Sequence, residues 1–282
     1  MKRSNATNIQ DEAGHRYHIG LKPGDLAERI LLVGDPGRVD LVVKRFSKVR
    51  FRAAHREFVT VTGTYKGMEV SVMGTGIGPD NTEIALIEAC QITKNPTFLR
   101  CGTTGGLQPE IKLGDLIISK GALRLDSTTD FFVHETYPAV AHPDAVLALA
   151  TACAATGSRF HVGITATAPG FYGAQGRNVP GFPVRFPNLP DELARQGVTN
   201  FEMEASALFV LSSLRGIRAG AVCVTVAGRP RNEFADEETQ KKGENRCVDV
   251  SLRAFEILKF MDQERKRRHL PIWVPAKWSK RK

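Results

Sequence analysis

The chain has 282 residues, 42% of them hydrophobic and 24% charged, a balance that excludes a wholly disordered or fibrous protein. Its formal charge is +9, yet the stretch from Lys259 to Lys282 holds nine basic and two acidic residues. That stretch therefore carries +7 and the 258 residues before it only +2, which argues against a body built to bind nucleic acid.

Residues 1–15 are polar, lack the apolar core of a signal peptide, and read as a flexible arm. Arg29-Ile-Leu-Leu-Val33 is an apolar run closed by Gly34-Asp-Pro-Gly-Arg38, which predicts a buried strand entering a turn. Helical spacing follows over 39–46. Residues 58–64 and 68–73 alternate around Lys66-Gly67, as in a β-hairpin. Pro79 suits the first turn of a helix reaching about residue 93. A strand is predicted over 97–101, followed by a Gly-rich stretch, 102–106. Further strands are expected over 115–120, 161–167 and 219–227, and helices over 142–156, 203–214 and 236–263. In the last of these, Val248, Leu252, Phe255 and Leu258 recur at helical spacing and mark a core-facing stripe. Residues 168–190 form a long Pro- and Gly-rich loop, of a length that is usually functional or mobile.

Strands and helices mix without a break in composition. The reading is one α/β domain, residues 16–261, with helices flanking a mostly buried sheet and a basic tail, 262–282. Cys90, Cys101, Cys153, Cys223 and Cys247 show no metal-ligand spacing, so reduced, buried thiols in a cytoplasmic protein are expected. The longest apolar run, 205–227, is interrupted by Arg215 and Arg218, and no membrane span is expected.

Several strand ends carry chemistry. Gly34-Asp-Pro-Gly-Arg38 can turn backbone N–H groups and a guanidinium toward an anion, although alone it reads as a simple turn. Arg100-Cys-Gly-Thr-Thr-Gly-Gly106 combines an arginine, two hydroxyls and glycines that let the backbone approach a tetrahedral oxyanion. Gly74-Thr-Gly-Ile-Gly78 has its third glycine one position early for a dinucleotide fingerprint and reads as a tight turn. Asn200-Phe-Glu-Met-Glu204 sets two carboxylates before an apolar helix. One could accept hydrogen bonds from vicinal sugar hydroxyls; the alternative is helix capping by acids. Phe171-Tyr-Gly-Ala-Gln-Gly-Arg177 offers a ring, an amide and a guanidinium, suited to the edge of a heterocyclic base. Gly228-Arg-Pro-Arg231 puts arginine at the end of the most apolar strand.

In this order and spacing, together with Tyr17-His-Ile-Gly20 and His55-Arg-Glu-Phe58, these motifs resemble the nucleoside phosphorylase family that contains uridine phosphorylases and hexameric purine enzymes, most closely the uridine phosphorylases. The resemblance runs from about Tyr17 to Leu258. It implies a three-layer-like α/β domain with a mixed, partly barrel-like central sheet. It assigns phosphate to Gly34, Arg38, Arg100 and Thr103, with Arg56 supplied by a neighbouring subunit. Ribose falls to Thr104, Met203 and Glu204, with His18 from the neighbour, and the base to Phe171, Gln175, Arg177 and Arg229. Arg229, Arg100 and Glu204 become the residues closest to catalysis.

The implied reaction is reversible phosphorolysis of uridine, with phosphate as co-substrate and no further cofactor. Related bacterial enzymes hold a cation at the glutamate matching Glu57, so an interface cation there is a secondary expectation; no other metal is expected. Shared sites imply a homodimer, with a hexamer left open. Purine-cleaving relatives carry an aspartate after the strand matching 219–227, whereas Gly228-Arg-Pro-Arg231 has no acid before Glu233, which favours a pyrimidine over a purine. The rivals are a purine nucleoside phosphorylase, a nucleoside-binding protein without turnover, and a nucleic-acid binder acting through the tail. For the tail, solvated or packing residues are the favoured reading.

Overall fold

The apolar run at Arg29 forms strand β1 (Arg29–Val33), buried over its last four residues. A computed structural model describes residues 6–276 and gives the remaining order: α1 (Arg38–Val43), β2 (Lys48–His55), β3 (Phe58–Tyr65), β4 (Met68–Gly74), α2 (Pro79–Ile92), β5 (Thr97–Gly106), β6 (Leu116–Arg124), β7 (Ala139–Val140), α3 (Pro143–Ala155), β8 (Phe160–Thr167), α4 (Leu189–Arg195), β9 (Val198–Glu202), α5 (Ala205–Arg215), β10 (Arg218–Gly228), β11 (Glu233–Phe234) and α6 (Glu237–Arg267).

The strands join one mixed sheet. β1 lies between β4 and β5, parallel to both, and β4, β3 and β2 continue outward as an antiparallel meander. At the other side the sheet closes on itself: β5 pairs with β10, β10 with β6, β6 with β8, β8 with β9, and β9 returns to β5. A five-stranded barrel thus shares β5 with the open part of the sheet. Apolar residues of α3 and α6 fill one face and those of α2 and α5 the other, giving the three layers expected of an α/β domain.

Local chemistry sets the helix limits. The Asp236 side chain accepts the Thr239 N–H at 2.7 Å, acids occupy the first turn of α6 and Arg265, Lys266 and Arg267 the last, each complementing the helix dipole. Its expected stripe of Val248, Leu252, Phe255 and Leu258 is buried. Pro79 sits in the first turn of α2, and His142 caps α3 by accepting the Asp144 N–H.

Some boundaries differ from the sequence reading. β5 does not stop at Cys101 but continues through Gly106, because β10 and β9 pair with its glycine-rich half. α5 starts at Ala205 rather than at Met203, since Asn200–Glu202 belongs to β9. β2, β7, β9, β11 and α4 have no counterpart among the expected elements. α6 runs through the boundary at 261/262, and beyond it Trp273 packs on the core while Arg268 donates to the Val274 carbonyl at 2.7 Å. Lys277, Trp278, Lys280, Arg281 and Lys282 lie outside the described residues. All five cysteines are free thiols; four are buried and Cys90 is half-buried. Among the described residues, no helix is long and apolar enough to cross a membrane.

Candidate active site

Loops and strand ends of β1, β5, β9 and β10 surround a cavity of about 630 Å³. This is where an α/β sheet characteristically binds ligands, outside the carboxyl ends of its strands. Its walls include Gly34, Arg38, Arg100, Thr103, Thr104, Phe171, Gln175, Arg177, Met203 and Glu204. Ten residues singled out from separate stretches of sequence therefore meet around one space.

β5 runs along this space. At one end Arg100, 6% exposed, pairs with Glu204, donates to Cys223 Sγ at 3.4 Å and has Glu202 at 3.8 Å. Burial alone would depress its pKa, but the Glu204 charge, followed by Cys223 and Glu202, carries it above the ordinary arginine value. Gly34 lies beside this guanidinium: a Cβ there would stand 3.7 Å from Arg100 Nη2. Arg38 is held near Glu244 of α6, with Nε 3.3 Å from Oε1 but not aligned for a hydrogen bond. Five residues along, Gly105 faces Arg177 and Arg229, whose atoms would lie 4.0 and 3.9 Å from a Cβ placed there. The Arg100 guanidinium lies over Gly102, so at about 3.3 Å per residue it is roughly 10 Å along β5 from Gly105.

Two glutamates divide the alternatives left open by the sequence. Glu202 caps α5: one oxygen accepts the N–H groups of Glu204 and Ala205 at 2.9 and 2.8 Å, and the other accepts the Thr167 hydroxyl at 2.5 Å. Burial pushes its carboxyl upward, against the pull of Arg100 and with the help of Glu204. Both carboxylates line the cavity, but Glu204 takes no part in the cap and instead accepts the Gly78 N–H at 2.8 Å beside its pairing with Arg100.

At the other end, Gln175 is 4% exposed and donates to the Gly170 carbonyl at 3.2 Å while accepting from Arg177 at 2.5 Å. The Arg177 guanidinium lies 3.9 Å over the Phe171 ring. Arg229 is not on the cavity wall itself but donates to the Gln175 carbonyl at 3.0 Å. Burial, and then the Arg229 charge, bring the Arg177 pKa down to about 10.

His18 and Arg56 are not on this cavity's wall. They lie together elsewhere, with the Tyr17 ring edge-on to His18 at 4.7 Å and Arg56 4.7 Å over Tyr17. Glu57 does reach the cavity, but among the described residues no group of three or more His, Cys, Asp or Glu side chains could hold a metal ion. Sequence reasoning missed the part played by Gly76, Ile77 and Gly78. Gly76 and Gly78 have φ of +79° and +105°, and the turn they make aims the Gly78 N–H at Glu204. The glycine spacing signalled a turn but not its target.

Residues 28–256 match the model of the phosphorylase superfamily. The chain belongs to the phosphorylase superfamily. It is 45% identical, over 96% of both chains, to a uridine phosphorylase from Thermococcus kodakarensis. It is 37% identical to a uridine phosphorylase from Escherichia coli, over 84% of this chain and 96% of the relative. A Trypanosoma brucei nucleoside phosphorylase, whose crystal structure was described as showing uridine phosphorylase activity, superposes with a TM-score of 0.79 at 31% identity, covering 86% of this chain and 98% of that one. The superfamily match spans every element that lines the cavity, from β1 to the first turns of α6.

Proposed function

We propose that this phosphorylase cleaves uridine reversibly with inorganic phosphate, giving uracil and ribose 1-phosphate, without another cofactor. The observation that carries the reading is the direct pairing of Arg100 with Glu204 inside the cavity, a guanidinium suited to an anion beside a carboxylate suited to sugar hydroxyls. The names of the relatives point the same way.

Phosphate is held by Gly34, Arg38, Arg100 and Thr103, and ribose by Thr104, Met203 and Glu204. Phosphate oxygen then attacks the anomeric carbon as the glycosidic bond breaks through an oxocarbenium-like state. The arginines contribute by orienting the nucleophile in a site of low dielectric constant. The departing base gathers negative charge, which Arg177 and Arg229 offset while Gln175 reads its polar edge and Phe171 packs on its face. Both guanidiniums make their hydrogen bonds to carbonyls and an amide rather than to a carboxylate, so their charge stays available.

A purine substrate is the weaker reading. The first acid after β10, Glu233, is bound to Arg231 at 2.6 Å and does not line the cavity, so it is not placed to protonate a purine ring nitrogen. His18 and Arg56 complete the site of a second copy in a homodimer. An ultraviolet assay of uridine, thymidine and inosine, each with and without phosphate, tests the proposal. Phosphate-dependent uridine cleavage is expected; robust inosine cleavage with inert uridine overturns it.

A further inference from the structure

His18 stands on a loop without regular structure, yet it is fixed from several sides. Glu88, on α2, is the main anchor. Its Oε1 lies 2.7 Å from His18 Nδ1, its Oε2 accepts the His18 N–H at 3.0 Å, and Oε2 also accepts the Ile19 N–H at 2.9 Å. On the far side, His55 Nδ1 donates to the His18 carbonyl at 2.8 Å, an approach that Gly20 permits, since a Cβ on Gly20 would stand 2.6 Å from His55 Cβ. The Tyr17 ring meets the imidazole edge-on.

An ionised carboxylate only accepts hydrogen bonds, so Nδ1 must carry the proton. In the neutral imidazole this leaves Nε2 with a bare lone pair. We propose that Glu88 is a positioning residue: it selects this tautomer of His18 and aims Nε2 as a hydrogen-bond acceptor for one hydroxyl of the ribose bound by the neighbouring subunit. The inference rests on the shared-site reading above.

Glu88→Gln separates orientation from tautomer choice. The amide oxygen can still take backbone N–H groups, but the amide nitrogen donates, which turns Nδ1 into the acceptor and Nε2 into a donor. Steady-state kinetics at saturating phosphate would use uridine and its 2′-, 3′- and 5′-deoxy analogues with the wild type, Glu88→Gln, His18→Ala and the double variant. Glu88→Gln should raise KM for uridine about tenfold with kcat nearly unchanged, and the double variant should be no worse than His18→Ala. One of the three analogues should show the same KM with all four proteins, and it names the hydroxyl.

If His18→Ala raises KM and Glu88→Gln does not, the positioning proposal alone falls. If the Glu88→Gln effect persists undiminished beside His18→Ala, Glu88 merely holds the loop, and the proposal also falls. If His18→Ala leaves every KM unchanged, the ribose role of His18 falls with it. Thermal melts check that each variant is folded, and Glu88→Asp, whose shorter carboxylate cannot span the same contacts, replaces the glutamine variant if that one is not.

Discussion

Arg100 reaches the cavity by lying back over its own strand, and Gly102 makes the space. A Cβ at residue 102 would stand 2.1 Å from Arg100 Nη1 and 2.9 Å from Cys223 Sγ. The nearest atom is the far end of a long side chain, so the guanidinium should give way rather than the backbone. Gly102→Ala is therefore expected to fold and to raise KM for phosphate at least about tenfold, with a smaller effect on KM for uridine; initial-rate kinetics in both substrates measure this. Arg229 presents the opposite case. It and Arg177 are two cations on neighbouring loops, and the Arg177 pKa, brought below the ordinary arginine value by burial and then by the Arg229 charge, means that folding disfavours the charge at every pH below about 10, with the penalty relieved above it. Arg229→Ala relieves part of that repulsion. Its melting temperature should lie within about 2 °C of the wild type or above it, while kcat/KM for uridine falls about 100-fold. A melt and a progress curve on one sample check both; a large loss of stability would make Arg229 a structural residue.

At the scale of elements, Glu202 shows how the site is fastened to the fold. Its carboxylate holds the N–H groups of Glu204 and Ala205 at the start of α5 and the hydroxyl of Thr167 on β8, so helix, barrel and cavity-lining Glu204 are joined at one buried group. Glu202→Ala leaves those buried donors without an acceptor and should cost about 2–4 kcal/mol in urea unfolding, with Glu202→Gln losing less. The elements also show what the sequence made legible. α6 and β10 are long, strongly patterned and buried, so their periodicity identifies them. β2, with the sequence Lys-Val-Arg-Phe-Arg-Ala-Ala-His, is largely exposed and becomes a strand through its pairing with β3. β9 is five residues long and overlaps a motif that looks like a helix start. The glycine-rich half of β5 reads as a loop because glycine normally weakens a strand, but here neighbours on both edges hold it. The site was legible as residue types at strand ends. What the sequence hid was partnership: Glu204 with Arg100, Glu202 with the Thr167 hydroxyl, and the Gly78 N–H across the cavity.

The whole molecule raises the question of where one active site ends. The turn after β1, the strand β5, the loop after β8 and the end of β9 bring Arg38, Arg100, Arg177 and Glu204 to a single cavity, yet Arg56 and His18 sit outside it, stacked about Tyr17, with His18 held by Glu88 and His55. If the site is shared, a subunit lacking Arg100 spoils its own cavity but still lends Arg56 and His18 to its neighbour. A subunit lacking Arg56 does the reverse. Arg100→Ala and Arg56→Ala homodimers should each be nearly inactive. Co-expressed, half of the dimers are hybrids, and in a twofold-symmetric pair each hybrid has one site with both lesions and one with neither. The mixture should then recover about a quarter of wild-type activity, given by half of the dimers with half of their sites intact. Tagging the two subunits differently and purifying through both tags isolates the hybrid, which should reach about half. Hybrids no more active than their parents would mean that Arg56 serves the cavity of its own chain or none.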